Sequence, residues 1–136
     1  MTRSEAREIL MQILYELDTT GAMENETAYR LVDERLKGNH KKRGRMLLAG
    51  IINDKDDIDS LINANSKSWK TARMPKVDLA IMRLALGEMR FDEEIPPAVV
   101  INEAINLAKK FSTEQSSGFI HGVLGSIVNS DEKSKG

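Results

Sequence analysis

The segment KVDLAIMRLALGEMRF, Lys76 to Phe91, carries apolar residues on nearly two faces of a helix, and no other stretch constrains the fold as tightly. Val77, Ala80, Ile81 and Leu84 fall on one face, and Met82, Ala85 and Met89 on another. A helix of that kind must be covered on both sides, so it lies at the centre of a bundle or beneath a partner. The rest of the chain points to a bundle. Apolar residues recur at helical spacing throughout, and the three prolines all lie between Met74 and Pro97. The expectation is an all-α protein.

The other helices follow from their stripes and stops. Thr2-Arg3-Ser4-Glu5 has capping-box spacing and starts a first helix with Ala6, Ile9, Leu10, Ile13, Leu14 and Leu17 inward, closed by Gly21. A second runs from about Asn25 to Leu36 and is broken by Gly38. A single third helix is expected from His40 to Asn65, with Leu47, Leu48, Ile51, Ile52, Ile58, Leu61 and Ile62 along one side. The polar stretch NANSKSWKTARMPK then separates two halves, with Trp69 expected to anchor a short helical turn. Pro75 suits the first position of the apolar helix, and Pro96-Pro97 open the next. Ser112-Thr113-Glu114-Gln115 reads as a second capping box before the last helix. The organisation expected is one domain over 1–136: a three-helix subdomain at 1–66, another at 67–130, and a disordered tail at 131–136.

Composition removes several classes of function. The chain holds 136 residues, 40% hydrophobic and 30% charged, enough to bury a core without staples. Without cysteine there is no disulfide, thiolate zinc site or cysteine nucleophile. His40 and His121 lack metal-site spacing, so no metal and no cofactor are expected. No phosphate-binding loop or dinucleotide fingerprint is present, and the carboxylates lie on helix faces where solvation explains them. The reading is a binder and not an enzyme. No apolar run reaches membrane-spanning length, and the charged N-terminus MTRSEAREIL does not resemble a signal peptide. A cytoplasmic location is therefore expected.

Net charge is −1, which does not describe a general polyanion binder, but the charges are uneven. RLKGNHKKRGR, Arg35 to Arg45, contains Lys41, Lys42, Arg43 and Arg45 and no acid. Cations in the first turns of a helix oppose its dipole, so the run is either a solvated surface or a contact for phosphate or an acidic protein. Arg3, Arg7, Met11 and Tyr15 form an i, i+4 ridge beside the first core stripe. An anion close to Arg3 and Arg7 would relieve their mutual repulsion, and cations beside an aromatic suit RNA. Asp78 shares a side with Met82, Ala85 and Met89, either as a favourable first-turn acid or as a salt-bridge anchor for a partner. Gly118, Gly122 and Gly125 line the back of the last helix, each costing it about 0.8–1 kcal/mol.

The run MPKVDLAIMRLALGEM followed by IPPAVVINEAINLAKKFSTEQSSGFIHGVL resembles the NusB family of transcription antitermination factors. The N-terminal spacing of Arg3, Ala6, Arg7, Leu14 and Tyr15, and LLAGI at Leu47 to Ile51, extend the likeness. The resemblance implies an all-helical fold of two packed three-helix subdomains. It also implies pairing with NusE, the small-subunit ribosomal protein that doubles as an elongation factor, and binding of boxA RNA in ribosomal RNA leader transcripts. With NusA, NusG and RNA polymerase, such a pair suppresses Rho-dependent termination.

By motif position, Arg3 and Arg7 match the family's basic element for RNA, while Tyr15, Asp78 and Phe119 match positions near the NusE and RNA surfaces. The RNA-contacting set expected is Arg3, Arg7, Tyr15, Phe119, Lys41, Lys42 and Arg43; the partner-contacting set is Asp78, Tyr15, Met82, Phe119 and Gly122. The N-terminal run is less basic than is usual in the family, which lowers RNA affinity or shifts it to Lys41–Arg45. His121 stands where asparagine is usual and Gly87 where tyrosine is common; of the three glycines in the last helix only Gly122 fits the pattern, suiting close backbone approach. A homodimer over the Met82/Met89 face would compete with NusE. The alternative to the RNA reading is a helical scaffold that binds protein alone.

Overall fold

The computed structural model describes the backbone of residues 1–135 and side chains through Asp131. Among the described residues seven helices follow in order: α1 Arg3–Thr20, α2 Asn25–Arg35, α3 Gly38–Asn53, α4 Lys55–Asn65, α5 Lys76–Phe91, α6 Pro97–Phe111 and α7 Glu114–Lys135. The described residues contain no strand, so the all-α expectation holds. None of these helices is long and apolar enough to cross a membrane.

Local chemistry sets most of the ends. The Thr2/Glu5 capping box closes in both directions: the Glu5 backbone N–H donates to Thr2 Oγ1 at 3.0 Å, and the Thr2 N–H donates to Glu5 Oε1 at 3.1 Å. Gly21 then ends α1 with φ 72, a left-handed conformation that glycine adopts without steric cost. The box expected at Ser112 does not form: the cap lies one residue later and is one-sided, with Thr113 Oγ1 accepting from the Ser116 N–H at 3.0 Å. Ser112 is diverted because its hydroxyl donates to Asp78 Oδ1 at 2.7 Å. In the connector before α5, the Ser66 hydroxyl donates to the Trp69 carbonyl, and a turn covers Thr71 to Arg73.

Two expectations about helix extent are corrected. The helix read as His40–Asn65 is two helices that bend at Asp54, whose φ −99 and ψ 15 lie outside the helical well. Hydrogen bonds continue through the bend, with Asp54 N donating to the Gly50 carbonyl and Ile58 N to the Asp54 carbonyl, both at 2.9 Å. The reason is visible in the stripe: no apolar residue lies between Ile52 and Ile58, so burial does not hold one straight axis there. The α4 segment packs instead on α7 and α5. At the other end, α7 carries the backbone to Lys135, where a disordered tail was expected; Gly136 lies outside the described residues. The segment from Ser126 to Lys135 contains no glycine or proline to stop a helix.

α5 is the centre of the molecule. Every residue from Asp78 to Glu88 is buried, and α1, α3, α4, α6 and α7 all pack against the helix. The two-faced pattern thus resolves as burial within the chain. Met82 is 0% exposed, so it is corrected from a partner contact to a core residue. Close passage of α3 over α5 depends on two glycines. A Cβ on Gly87 would lie 2.4 Å from Ile51, and one on Gly50 would lie 2.5 Å from the Phe91 ring.

Candidate nucleic-acid and partner interface

α1 and α5 pack side by side, and the cations near them meet different fates. Arg7 Nε donates to Glu88 Oε1 at 2.8 Å and Oε2 at 2.9 Å, with Glu103 at 3.7 Å from the same guanidinium. Arg43 of α3 approaches the same carboxylate, donating to Glu88 Oε2 at 3.1 Å and to Asp92 at 2.8 Å. The side chains of Arg7 and Arg43 are 4% and 11% exposed. Glu88 is therefore a buried anion held between two guanidinium groups, and it ties α1, α3 and α5 together.

This geometry corrects the ridge reading of α1. The anion expected near Arg3 and Arg7 belongs to the protein itself, and Met11 is buried one turn beyond Arg7. Taking one charge from such a cluster leaves the others uncompensated, at about 3–5 kcal/mol. Arg7 and Arg43 are thus committed to the fold, whereas Arg3 and Tyr15 remain exposed.

Four cations lie where the start of α1 meets the start of α3. The His40 ring nitrogen lies 3.1 Å from the Met1 carbonyl, which joins the N-terminus of α1 to the first turn of α3. Arg3, Lys37 and Lys42 are exposed and Lys41 half-buried, and among the described residues no acid pairs with any of them. These cations make up a basic rim around the Met1–His40 contact, beside the capping carboxylate of Glu5. At its outer edge the Arg45 guanidinium lies over the Tyr29 ring, 4.4 Å from the centroid, with Asp33 at 3.6 Å.

The positions expected to meet a partner lie toward the other end of α1. Tyr15 stands three turns beyond Arg3, a rise of about 18 Å. Asp18, one turn beyond Tyr15, meets Lys76 at 3.3 Å and Arg83 at 3.5 Å, which places this end of α1 beside the start of α5. Arg83 is in turn held by Asp59 at 2.9 and 2.7 Å. Asp78 is corrected from a surface anchor: it is 0% exposed, takes the Ser112 hydrogen bond on Oδ1, and leaves Oδ2 buried without a donor. It fixes the turn that launches α7.

On α7, Phe119 is half-buried and meets Trp69 edge-on, with centroids 5.2 Å apart and planes at 70°. Gly118, Gly122 and Gly125 face open space, with nothing of this chain within 4 Å of an added Cβ. Together with His121, Ser126 and Asn129 they form a shallow trough along the helix. No internal packing requires these glycines. Any close backbone approach at Gly122 is available only to a second molecule.

The sequence reading did not find the roles of Glu88, His40 and Tyr29. For Glu88 a signal existed, since a lone carboxylate inside a helix apolar on two faces needs a buried cation. His40 and Tyr29 had none, because their neighbours come from other helices.

The likeness to known proteins is extensive. The NusB family model matches residues 4–129. A transcription antitermination protein NusB from Bacillus mycoides is 44% identical over 128 residues, covering 93% of this chain and 97% of the relative. One from Pelotomaculum thermopropionicum is 43% identical, covering 98% and 93%. The solved structure of T. maritima NusB superposes with a TM-score of 0.87 at 29% identity, over 99% of this chain and 98% of that one. A crystal structure of the antitermination factors NusB and NusE in complex with dsRNA gives a TM-score of 0.79 at 25% identity, over 96% and 99%. With the family's motifs in order on the family's helical frame, the chain belongs to the NusB family.

Proposed function

We propose that the chain is a transcription antitermination factor that pairs with NusE, binds boxA RNA in ribosomal RNA leader transcripts and suppresses Rho-dependent termination, making and breaking no covalent bond. NusA, NusG and RNA polymerase complete the assembly, in the cytoplasm. The observation that carries the RNA part is the set of cations without an acid partner among the described residues, Arg3, Lys41 and Lys42, near the contact of His40 with Met1. Arg3 and the two lysines take phosphates. Tyr15, Phe119 and Gly122 serve the NusE side, where the α7 trough admits a close backbone. Asp78 acts indirectly, by holding Ser112 and thus the start of α7. Support comes also from the similar structure in which NusB and NusE are in complex with dsRNA.

A titration of boxA RNA with and without NusE tests this. Affinity should rise when NusE is present. The slope of log affinity against log salt should fall by about one for each phosphate that Arg3→Ala or Lys42→Ala leaves without its cation. Equal affinity in both cases and an unchanged slope would defeat the RNA reading. The burial of Arg7 and Arg43 shortens the cationic surface and favours the second reading, a helical scaffold for protein alone. NusE pairing with undetectable boxA binding would establish that one instead.

A further inference from the structure

A groove between α2 and α3 shares Lys41 and Lys42 with the function proposed above, and its Tyr29, Arg45 and Met46 have no part in that function. It is lined by Tyr29 from α2 and by Lys41, Lys42, Arg45 and Met46 from α3. Within it the Arg45 guanidinium lies over the Tyr29 ring, its carbon 4.4 Å from the centroid. Asp33 approaches Arg45 Nε at 3.6 Å, so it steadies the guanidinium through an edge nitrogen and does not take the place of a stacking partner. The Arg45 side chain is 46% exposed, and Met46 beside it is 42% exposed. As internal bracing an exposed cation–π pair is weak, and an exposed methionine adds nothing to the core. As a platform the arrangement is apt. Guanidinium planes and aromatic rings both stack nucleobases, and a flexible thioether fills the gaps around a flat ligand.

The charge pattern selects the occupant. The segment from Arg35 to Arg45 contributes no acid, and Lys41 and Lys42 line the same groove as the platform, within reach of phosphates next to a stacked base. Asp33 is the one acid paired with the platform among the described residues. The groove also adjoins the rim, since His40, bonded to the Met1 carbonyl at 3.1 Å, immediately precedes Lys41. We propose that this groove seats a base of the single-stranded RNA flanking boxA, stacked on the Arg45–Tyr29 platform with Lys41 and Lys42 on the neighbouring phosphates. The inference rests on the RNA-binding reading above and lengthens its footprint.

Fluorescence anisotropy of the full chain with NusE tests it, using labelled boxA RNA alone and boxA RNA extended by a few nucleotides at its 5′ or its 3′ end. One of the two extended RNAs should bind roughly tenfold more tightly than the unextended one, the scale of a single stacked base. Abasic flanking nucleotides should abolish the gain, as should Arg45→Gln and Tyr29→Leu, while unextended boxA RNA binds both variants as before. The abasic arm needs no change to the protein, so it stands even if Tyr29→Leu fails to fold. Extended RNAs that bind no better than boxA alone, or an abasic flank that keeps the full gain, would overturn the stacking site. Displacement of the flank by polyglutamate at low concentration would overturn it too, in favour of an acidic protein. Failure of boxA RNA itself to bind would refute the function and this site together, whereas boxA binding without a flank gain would refute only the site.

Discussion

α5 and α7 both carry glycine inside a helix, and the glycines meet opposite needs. Gly87 in α5 lies where a Cβ would be 2.4 Å from Ile51, so its lack of a side chain lets α3 and α5 pack. Gly118, Gly122 and Gly125 in α7 face nothing within 4 Å. The cations divide in the same way. Arg7 and Arg43 are enclosed around Glu88, while Arg3 and Lys42 are exposed on the rim nearby. Features that satisfy the fold are used up internally, and the surface available for binding consists of those that nothing in the chain consumes. Identical residue types thus separate into structure and function by enclosure alone.

The strongest way to break that division is Glu88→Gln, which leaves two buried guanidinium groups short of a counter-charge. Urea unfolding should report a loss of about 3–5 kcal/mol. A loss below about 1 kcal/mol would mean that Arg7 and Arg43 reach solvent and belong with the rim after all. Gly87→Ala comes next: a methyl group forced against Ile51 should cost about 1–3 kcal/mol by the same measurement, as overpacking does. Gly122→Ala should behave in the opposite sense. With open space around it and helical backbone on both sides, alanine should stabilise the free protein by about 0.5–1 kcal/mol while weakening NusE pairing, measured by calorimetry. Unchanged NusE affinity would make the trough a mere surface.

The smallest effect concerns pH. Hydrogen bonds from Arg90 and Asn53 hold the Asp54 carboxyl below the ordinary carboxylate range. Because its folded-state pKa is lowered, its contribution to stability is present above the unfolded value and is lost as pH falls through the folded one. Asp54→Asn should therefore flatten a small part of the decline in melting temperature on acidification and leave the neutral-pH fold intact. An identical decline in both proteins would show that the pair at the α3–α4 bend contributes nothing.

Much of the architecture could be read locally. The Thr2/Glu5 box, the Gly21 stop, the Pro97 start and the stripe of α6 each depend on residues within one or two turns of one another. The bend at Asp54 was present in the sequence as a missing stretch of apolar residues, but only packing against α5 and α7 turned that gap into a change of direction. The candidate site was legible in part. Lys41 and Lys42 are visible in the sequence as a cationic run, whereas the enclosure of Arg7 was not, because its partner Glu88 lies 81 residues away.

The amino-acid order by itself determined that the chain is helical and where most helices start, that α5 must be covered on two faces, and that the chain lacks the groups for thiol chemistry. These are consequences of periodicity, capping and composition, all short-range or global properties of the chain. Tertiary structure alone decided which arginines are exposed, that Asp78 faces Ser112, and that the α7 glycines are bare. Each of those outcomes depends on which group from a distant helix arrives at the position, because a charge or a missing side chain takes its role from whatever approaches it.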